Sequence, residues 1–449
     1  MKKIYFFVII LTFFIFNINT LLFAAILGYT NDKNLNLDAS INLALLNNRN
    51  LLIANEEVMM VKYKTAEALS FKAMQIDFSA GYNHYNLEDD YYILDDGVNT
   101  YLFNKNAKNQ HSLSLSMSQI IYNGSRTRNT KKATEATLKK AKSEYETIKQ
   151  QVVYRTKVYF YRYMFLNKKL KFLEDIKKYL ETLNASQYKI SFDFDRFYKN
   201  FMFAYDETII AHKITRLEFF NLMGIEQDSL IILAGKLEAV HPLNIDLDSA
   251  IAKALYSRPE LMSSEASEEL GFLEMNISMA ERNPVIALGG GYQYTAPDFR
   301  MKGDNWQENW YCGLTMNIPL FDGGAWIARN NQTKINLRKL KLKRADIEED
   351  IKLSIKNAFM GYEHQRRKLT YESNYYQTLL ENHYKKFLEK NLIPSTNNTS
   401  QIKITSTNNW RKTFNLIRKY KEDTINYLET INAYNEKTLY LYYVIGEID

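Results

Sequence analysis

The chain has 449 residues, a formal charge of +7 and a mean hydropathy below zero. The positive excess is modest and spread along segments that also carry Glu and Asp, so it reads as a solvated helical face and not as a nucleic-acid stripe. The single cysteine, Cys312, excludes any intrachain disulfide, and 6 prolines and 16 glycines leave room for long unbroken helices.

Lys2 and Lys3 precede the apolar run Ile4 to Ile18, and Phe23-Ala24-Ala25 ends in small residues. Residues 1–25 therefore read as a secretory signal peptide, cleaved after Ala24 or Ala25. A retained anchor helix is the alternative, but the run is short for one and no second apolar span of roughly 18 residues follows. Leu35 to about Ala73 is expected to be helical, with Asp38 as N-cap and Ile41, Ala44, Leu45, Leu52 and Val58 at helical spacing. Ile76 to Asn86, rich in aromatics, favours a strand. Asn86 to Lys108 is acidic and reads as a long exposed loop; it lacks an EF-hand pattern for Ca²⁺.

His111 to Gln119 alternates strictly. Leu113, Leu115 and Met117 share one face and Ser112, Ser114, Ser116 and Ser118 the other. Ser125 to Leu183 is helical without Pro or Gly, roughly 90 Å at 1.5 Å per residue, with a coiled-coil seam from Leu138 to Leu173. The chain turns near Tyr188 to Asp195, returns as a helix over about Arg196 to Met223, and enters an irregular connector containing Pro242.

The same order then recurs. Residues 36–45 read NLDASINLAL and residues 246–255 read DLDSAIAKAL, a shift of 210 that still relates Gly81-Tyr82 to Gly291-Tyr292. Ile121-Tyr122-Asn123-Gly124 answers Leu320-Phe321-Asp322-Gly323 with a shift of 199. The pattern divides the mature chain into a first repeat, 26–235, and a second, 236–449. In the second, a strand over Ile286 to Tyr294 is joined by the loop Pro297 to Asn309 to another. Cys312, Leu314, Met316 and Ile318 share one face of that strand, which Pro319 ends. Another long helix runs from Ala325 to about Leu388. A Ser/Thr/Asn-rich turn over 391–409 leads to a last helix from about Trp410 to Val444.

Each strand reaches about ten residues, the length that crosses a bilayer when tilted. A soluble half-buried hairpin is the bland alternative, but no other strands complete a sheet. Open strand edges are not tolerated in hydrocarbon, and roughly eight strands are needed to close a barrel. Four transmembrane strands per chain thus demand an oligomer. Other candidates favour plain readings. The six histidines show no metal-ligand spacing, Gly289-Gly290-Gly291 lacks the Lys-Ser/Thr of a phosphate loop, and no acid/base cluster suggests an enzyme. Aromatics such as Tyr82, Tyr122, Tyr292, Trp310 and Phe321 would serve as interface girdles or as packing.

With these residues in view, the chain resembles the TolC-like outer-membrane efflux proteins. The resemblance rests on the duplicated Leu37-Asp-Ala-Ser-Ile41 and Leu247-Asp-Ser-Ala-Ile251, on Arg258-Pro-Glu-Leu261, and on the strand-to-helix junction Ile318-Pro319-Leu-Phe321-Asp322-Gly323-Gly324. Gln119 to Gly124, with Asn123, is a looser copy of that junction, and Leu222-Met-Gly224 and Val444-Ile-Gly446 fit the helix ends.

The resemblance implies a mainly α chain with a small transmembrane β part. It implies a homotrimer in outer-membrane lipid, with a twelve-stranded β-barrel joined to a twelve-helix periplasmic tunnel. Such a duct needs no cofactor and performs no covalent chemistry. It takes substrate from an inner-membrane pump through a periplasmic adaptor (membrane fusion) protein. Two departures concern the periplasmic turns. Ser191 stands where glycine is common, and no carboxylate lies between Glu389 and Glu422. Asp193 and Asp195 would form a cation-selecting ring at the tip, or serve as solvated turn residues or helix caps, which is the simpler reading. An exported coiled-coil scaffold without transport is the rival to the duct.

Overall fold

A computed structural model describes residues 34–70, 72–84, 91–95, 100–104, 109–185, 192–227, 231–296, 307–379 and 407–448. The expected signal peptide and most of the second turn lie outside these residues. In chain order the elements are β1 (Asn34–Leu35), α1 (Leu37–Asn47), α2 (Arg49–Ser70), β2 (Gln75–His84), β3 (Tyr91–Asp95), β4 (Thr100–Asn104), β5 (Asn109–Tyr122), α3 (Arg126–Ala185) and α4 (Phe192–Leu222). They continue with β6 (Ile232–Leu233), α5 (Leu247–Ser257), α6 (Pro259–Met279), β7 (Val285–Ala296), β8 (Gln307–Asn317), α7 (Ala325–Leu379) and α8 (Thr407–Ile445). A single 3₁₀ turn, Ala280–Arg282, separates α6 from β7.

The architecture is a bundle of long helices carrying one four-stranded antiparallel sheet, in the order β2-β5-β7-β8. The 60 residues of α3 extend over about 90 Å at 1.5 Å per residue. Its core is strung along its length and not gathered in a ball. One cluster joins Val152, Phe160 and Met164 of α3 to Phe219, Phe220 and Met223 near the end of α4. A second gathers Ile351, Ile355, Ala358 and Tyr362 of α7 with Ala250, Ala254, Leu441 and Ile445. A third, farther from the sheet, packs Leu173, Ile176 and Leu180 on Phe194, Phe201, Phe414 and Ile417.

Burial among aromatic neighbours pushes the Tyr154 phenol, beside Tyr440, Glu436 and Tyr443, up to about 12. Tyr420 is pushed to about 12 for the same reason. Burial lowers the Lys421 ammonium, which lies over the rings of Phe197 and Phe201.

Several expectations need correction. The helix over Leu35 to Ala73 is two helices, broken at Asn48. That residue is extended, its Oδ1 accepts from the N–H groups of Asn50 and Leu51, and its Nδ2 donates to Leu222 O at 2.8 Å. The side chain thus supplies a cap that makes the break favourable. The N-cap of α1 is Asn36, whose Oδ1 accepts from Ala39 N at 2.8 Å, and Asp38 sits in the first turn instead. The acidic stretch expected to be loop contains the hairpin β3–β4, in which Tyr92 pairs with Phe103. Its β-branched and aromatic residues prevail over the flanking acids. Among the described residues the return helix already runs from Phe192, ahead of the expected start near Arg196, and α8 from Thr407. The connector carries β6, which pairs in parallel with β1.

The two halves repeat one another in detail. Asp246 caps α5 as Asn36 caps α1. Arg258 stands where Asn48 does, between two helices, and its guanidinium donates to Val444 O as Asn48 donates to Leu222 O. α4 and α8 both end in Schellman turns. Gly224 and Gly446 lie at φ +66° and +83°, and Ile225 N and Glu447 N reach back to Phe220 O and Tyr442 O.

Candidate channel wall and its junctions

The sheet is amphipathic across all four strands. Register places Ile76, Phe78, Ala80 and Tyr82 of β2 beside Met117, Leu115, Leu113 and His111 of β5. Met117, Leu115 and Leu113 lie in turn beside Gly290, Tyr292 and Tyr294 of β7, which face Cys312, Trp310 and Glu308 of β8. Leu314 and Met316 complete that face opposite Leu288 and Ile286. One chain leaves much of it in solvent, Leu314 and Phe78 being 67% and 69% exposed. Cys312 is a free, exposed thiol. Ile318 falls one residue beyond the end of β8.

The opposite face is mostly small and polar, though Tyr311 stands on it opposite Gly291. Ser112, Ser114, Ser116 and Ser118 adjoin Thr295, Gln293, Gly291 and Gly289 on one side and Gly81, Ser79, Asp77 and Gln75 on the other. Ser79 and Ser114 share a hydroxyl hydrogen bond of 2.7 Å. Among the described residues Asp77 is the one carboxylate on this face, a feature the strand's alternation could have shown. β2 and β8 each pair on one side alone among the described residues, leaving two open edges.

Both strand-to-helix junctions are built alike. Asn123 and Asp322 each open a turn whose two central residues have positive φ: Gly124 and Ser125 at +62° and +70°, Gly323 and Gly324 at +67° and +87°. Arg126 N donates to Asn123 O and Ala325 N to Asp322 O, closing the two turns. The side chains then cap the long helices: Asn123 Oδ1 accepts from Thr127 N at 3.2 Å and Asp322 Oδ2 from Trp326 N at 2.7 Å. Asp322 also pairs with Arg329 at 3.1 Å. Phe321 is exposed, as is Pro319 before it. The first junction packs against the second half, since Asn283 Nδ2 donates to Gly124 O at 3.3 Å. That contact across 159 residues carried no local sequence signal.

Asp193 and Asp195 lie in the first described turn of α4, at the end of the bundle away from the sheet. Asp195 is exposed. The preceding turn, 186–191, is outside the described residues. No group of three or more His, Cys, Asp or Glu side chains suited to a metal occurs among the described residues.

A model of the outer membrane efflux protein family matches residues 40–189 and 250–375, one stretch in each half and more than half the chain together. The chain belongs to the outer membrane efflux protein family. No curated protein matches it by sequence. Solved structures share the fold at low identity. The CmeC outer membrane channel of Campylobacter jejuni matches with a TM-score of 0.67 and 15% identity, over 92% of this chain and 85% of that one. The open state of the MtrE outer membrane channel of Neisseria gonorrhoeae gives 0.69 and 13%, over 91% and 88%. A membrane protein of Pseudomonas aeruginosa gives 0.72 and 12%, over 91% and 92%. As an outer membrane efflux protein, the chain is an exit duct of the outer membrane with its helices in the periplasm. Its family is one of channels rather than of enzymes.

Proposed function

We propose that three copies of the chain, each made of two like halves over 26–235 and 236–449, pool their strands into a twelve-stranded barrel. Their long helices then form a periplasmic tunnel below it. The carrying observation is the four-stranded sheet, apolar on one face, polar on the other and open at both edges. In a bilayer each unpaired edge group costs several kcal/mol, so a sheet of this kind must close. Four strands are too few to do so alone, whereas twelve leave an aqueous lumen. Leu113, Leu115, Met117, Cys312, Leu314, Met316 and Ile318 then face lipid. The serine and glycine face lines the lumen.

The duct is passive. An inner-membrane pump supplies energy and selects cargo, and a periplasmic adaptor joins the two. Asp193 and Asp195 belong to the distal tip, where acids in a first helical turn also favour the helix. The test is the mass of the detergent-extracted protein from outer membranes, followed by conductance in planar bilayers. A species near three chain masses that conducts ions supports the reading, and Asp193→Asn with Asp195→Asn is expected to weaken its preference for cations. A monomer, or a trimer that never conducts even with both acids neutralised, overturns the duct in favour of a sealed scaffold.

A further inference from the structure

The shifts of 210 and 199 that relate the two halves also relate their packing, residue for residue. In the first half, Val58 and Val61 of α2 pack on Leu138, Ala141 and Tyr145 of α3. The equivalent residues of the second half are Glu268 and Gly271 of α6 and Leu337, Leu340 and Arg344 of α7. There Leu340 and Leu337 lie over Gly271, and Arg344 bonds Glu268 at 3.3 Å. The hairpins agree as well. Gly81 pairs with Ser112, and Gly291, 210 residues on, pairs with Tyr311, 199 residues on.

A third seam joins the halves to each other. Ala133 and Ala136 of α3 pack on Leu270, Leu273 and Ile277 of α6. Above them β5 pairs with β7, Leu113 with Tyr294, Leu115 with Tyr292 and Gln119 with Leu288. The image of this seam would join α7 and β8 to an α2 and a β2. Within one chain that is impossible, because β2 and β8 are opposite edges of the same open sheet. The partner is a second copy.

We propose that β8 of one copy pairs antiparallel with β2 of the next in a register set by the internal seam: Cys312 opposite His84, Leu314 opposite Tyr82, Met316 opposite Ala80 and Ile318 opposite Phe78. Below it α7 packs on the next copy's α2. The image of Ala136 is Ile335, and the images of Leu270 and Leu273 are Met60 and Tyr63. Ser143 and Met262, which line the cleft between α3 and α6, map to Leu342 and Leu52. A single chain leaves these five large apolar side chains exposed, Leu342 at 72% and Tyr63 at 71%. The seam covers them all. Even the bulge of the internal seam, where Tyr122 meets Ile286, carries over and sets exposed Phe321 against exposed Ile76.

This register rests on the three-copy reading and is tested separately from it. Cys312 is the chain's sole cysteine, so one added cysteine reports one distance. Directly opposed strand residues have Cα atoms about 4.5–5.5 Å apart, within disulfide reach, and positions farther along the partner strand fall outside it. His84→Cys, Tyr82→Cys and Ala80→Cys are each made with Cys312 in place, in outer membranes, and oxidised with copper phenanthroline. The expected result is a ladder up to three chain masses for His84→Cys, reversed by dithiothreitol, absent when Cys312→Ser is added, and weak or missing for the other two. Cross-linking strongest at Tyr82 or Ala80, or a trimeric mass in mild detergent with no cross-link at His84, overturns the register and leaves the assembly standing. A monomeric mass with no cross-link anywhere overturns the assembly itself.

Discussion

At the scale of single residues, the junction glycines show how like motifs diverge in what they tolerate. Gly124 and Gly323 share a left-handed backbone, which costs a residue with a Cβ about 1–2 kcal/mol. A Cβ at Gly124 would also overlap the Asn283 side chain, while at Gly323 it would meet nothing in its own chain. Gly124→Ala is therefore expected to lower the melting temperature of the detergent-solubilised protein by more than Gly323→Ala. Equal losses would mean that backbone strain alone sets the cost. Both glycines were legible because the motif occurs twice. Asn283 was not, because its contact joins distant parts of the chain. Asn36 displaced Asp38 as cap for a related reason: both are short polar side chains ahead of an apolar run, and only backbone geometry separates them.

At the scale of elements, the long helices were plain from their spacing and from the lack of Pro and Gly. The break at Asn48 was hidden because Asn47-Asn48-Arg49-Asn50 contains neither, whereas Pro259 marks its counterpart. The hairpin β3–β4 was masked by flanking acids. Aromatic packing between the helices gives them a pH limit. Tyr154 stacks on Tyr443 at 4.7 Å, and Tyr420 meets Phe172 edge-on. Folding raises both phenols from an ordinary value of 10.0 to about 12, so the neutral form is the one the native state favours. Their contribution is fully present below pH 10 and is lost as pH rises through 12. The melting temperature is expected to be insensitive to these two groups below pH 10 and to fall above it. Tyr154→Phe combined with Tyr420→Phe should make that fall shallower. An unchanged alkaline fall in the double variant would place its origin elsewhere.

At the scale of the whole molecule, the repeat was legible and so were the four strands of the main sheet. Which half's strand neighbours which was not, because period-two alternation sets a face and never a partner. The seam between copies makes a direct prediction. Ile335→Glu removes about 1.5–3 kcal/mol of burial per seam. It is expected to shift the protein towards monomer in mild detergent while leaving its helical circular dichroism intact. Adding Met60→Lys should recover part of the trimer by pairing the new charge. Loss of helix together with the trimer would mean that Ile335 supports its own chain instead.

Between α3 and α6 lies a cleft of about 530 Å³ flanked by Lys139, Lys142, Glu135 and Glu146, beside the apolar contact of Ala133 and Ala136 with Leu270 and Leu273. Two halves on one polypeptide meet at the effective concentration their connector enforces, of millimolar order for a short flexible link. Separate chains have no such tether and must find one another by diffusion. The internal seam can therefore tolerate an open cleft, while the external one must hold by contact alone. Severed within the connector, the protein would lose that tether, and its internal seam would have to hold as the external one does, by contact alone.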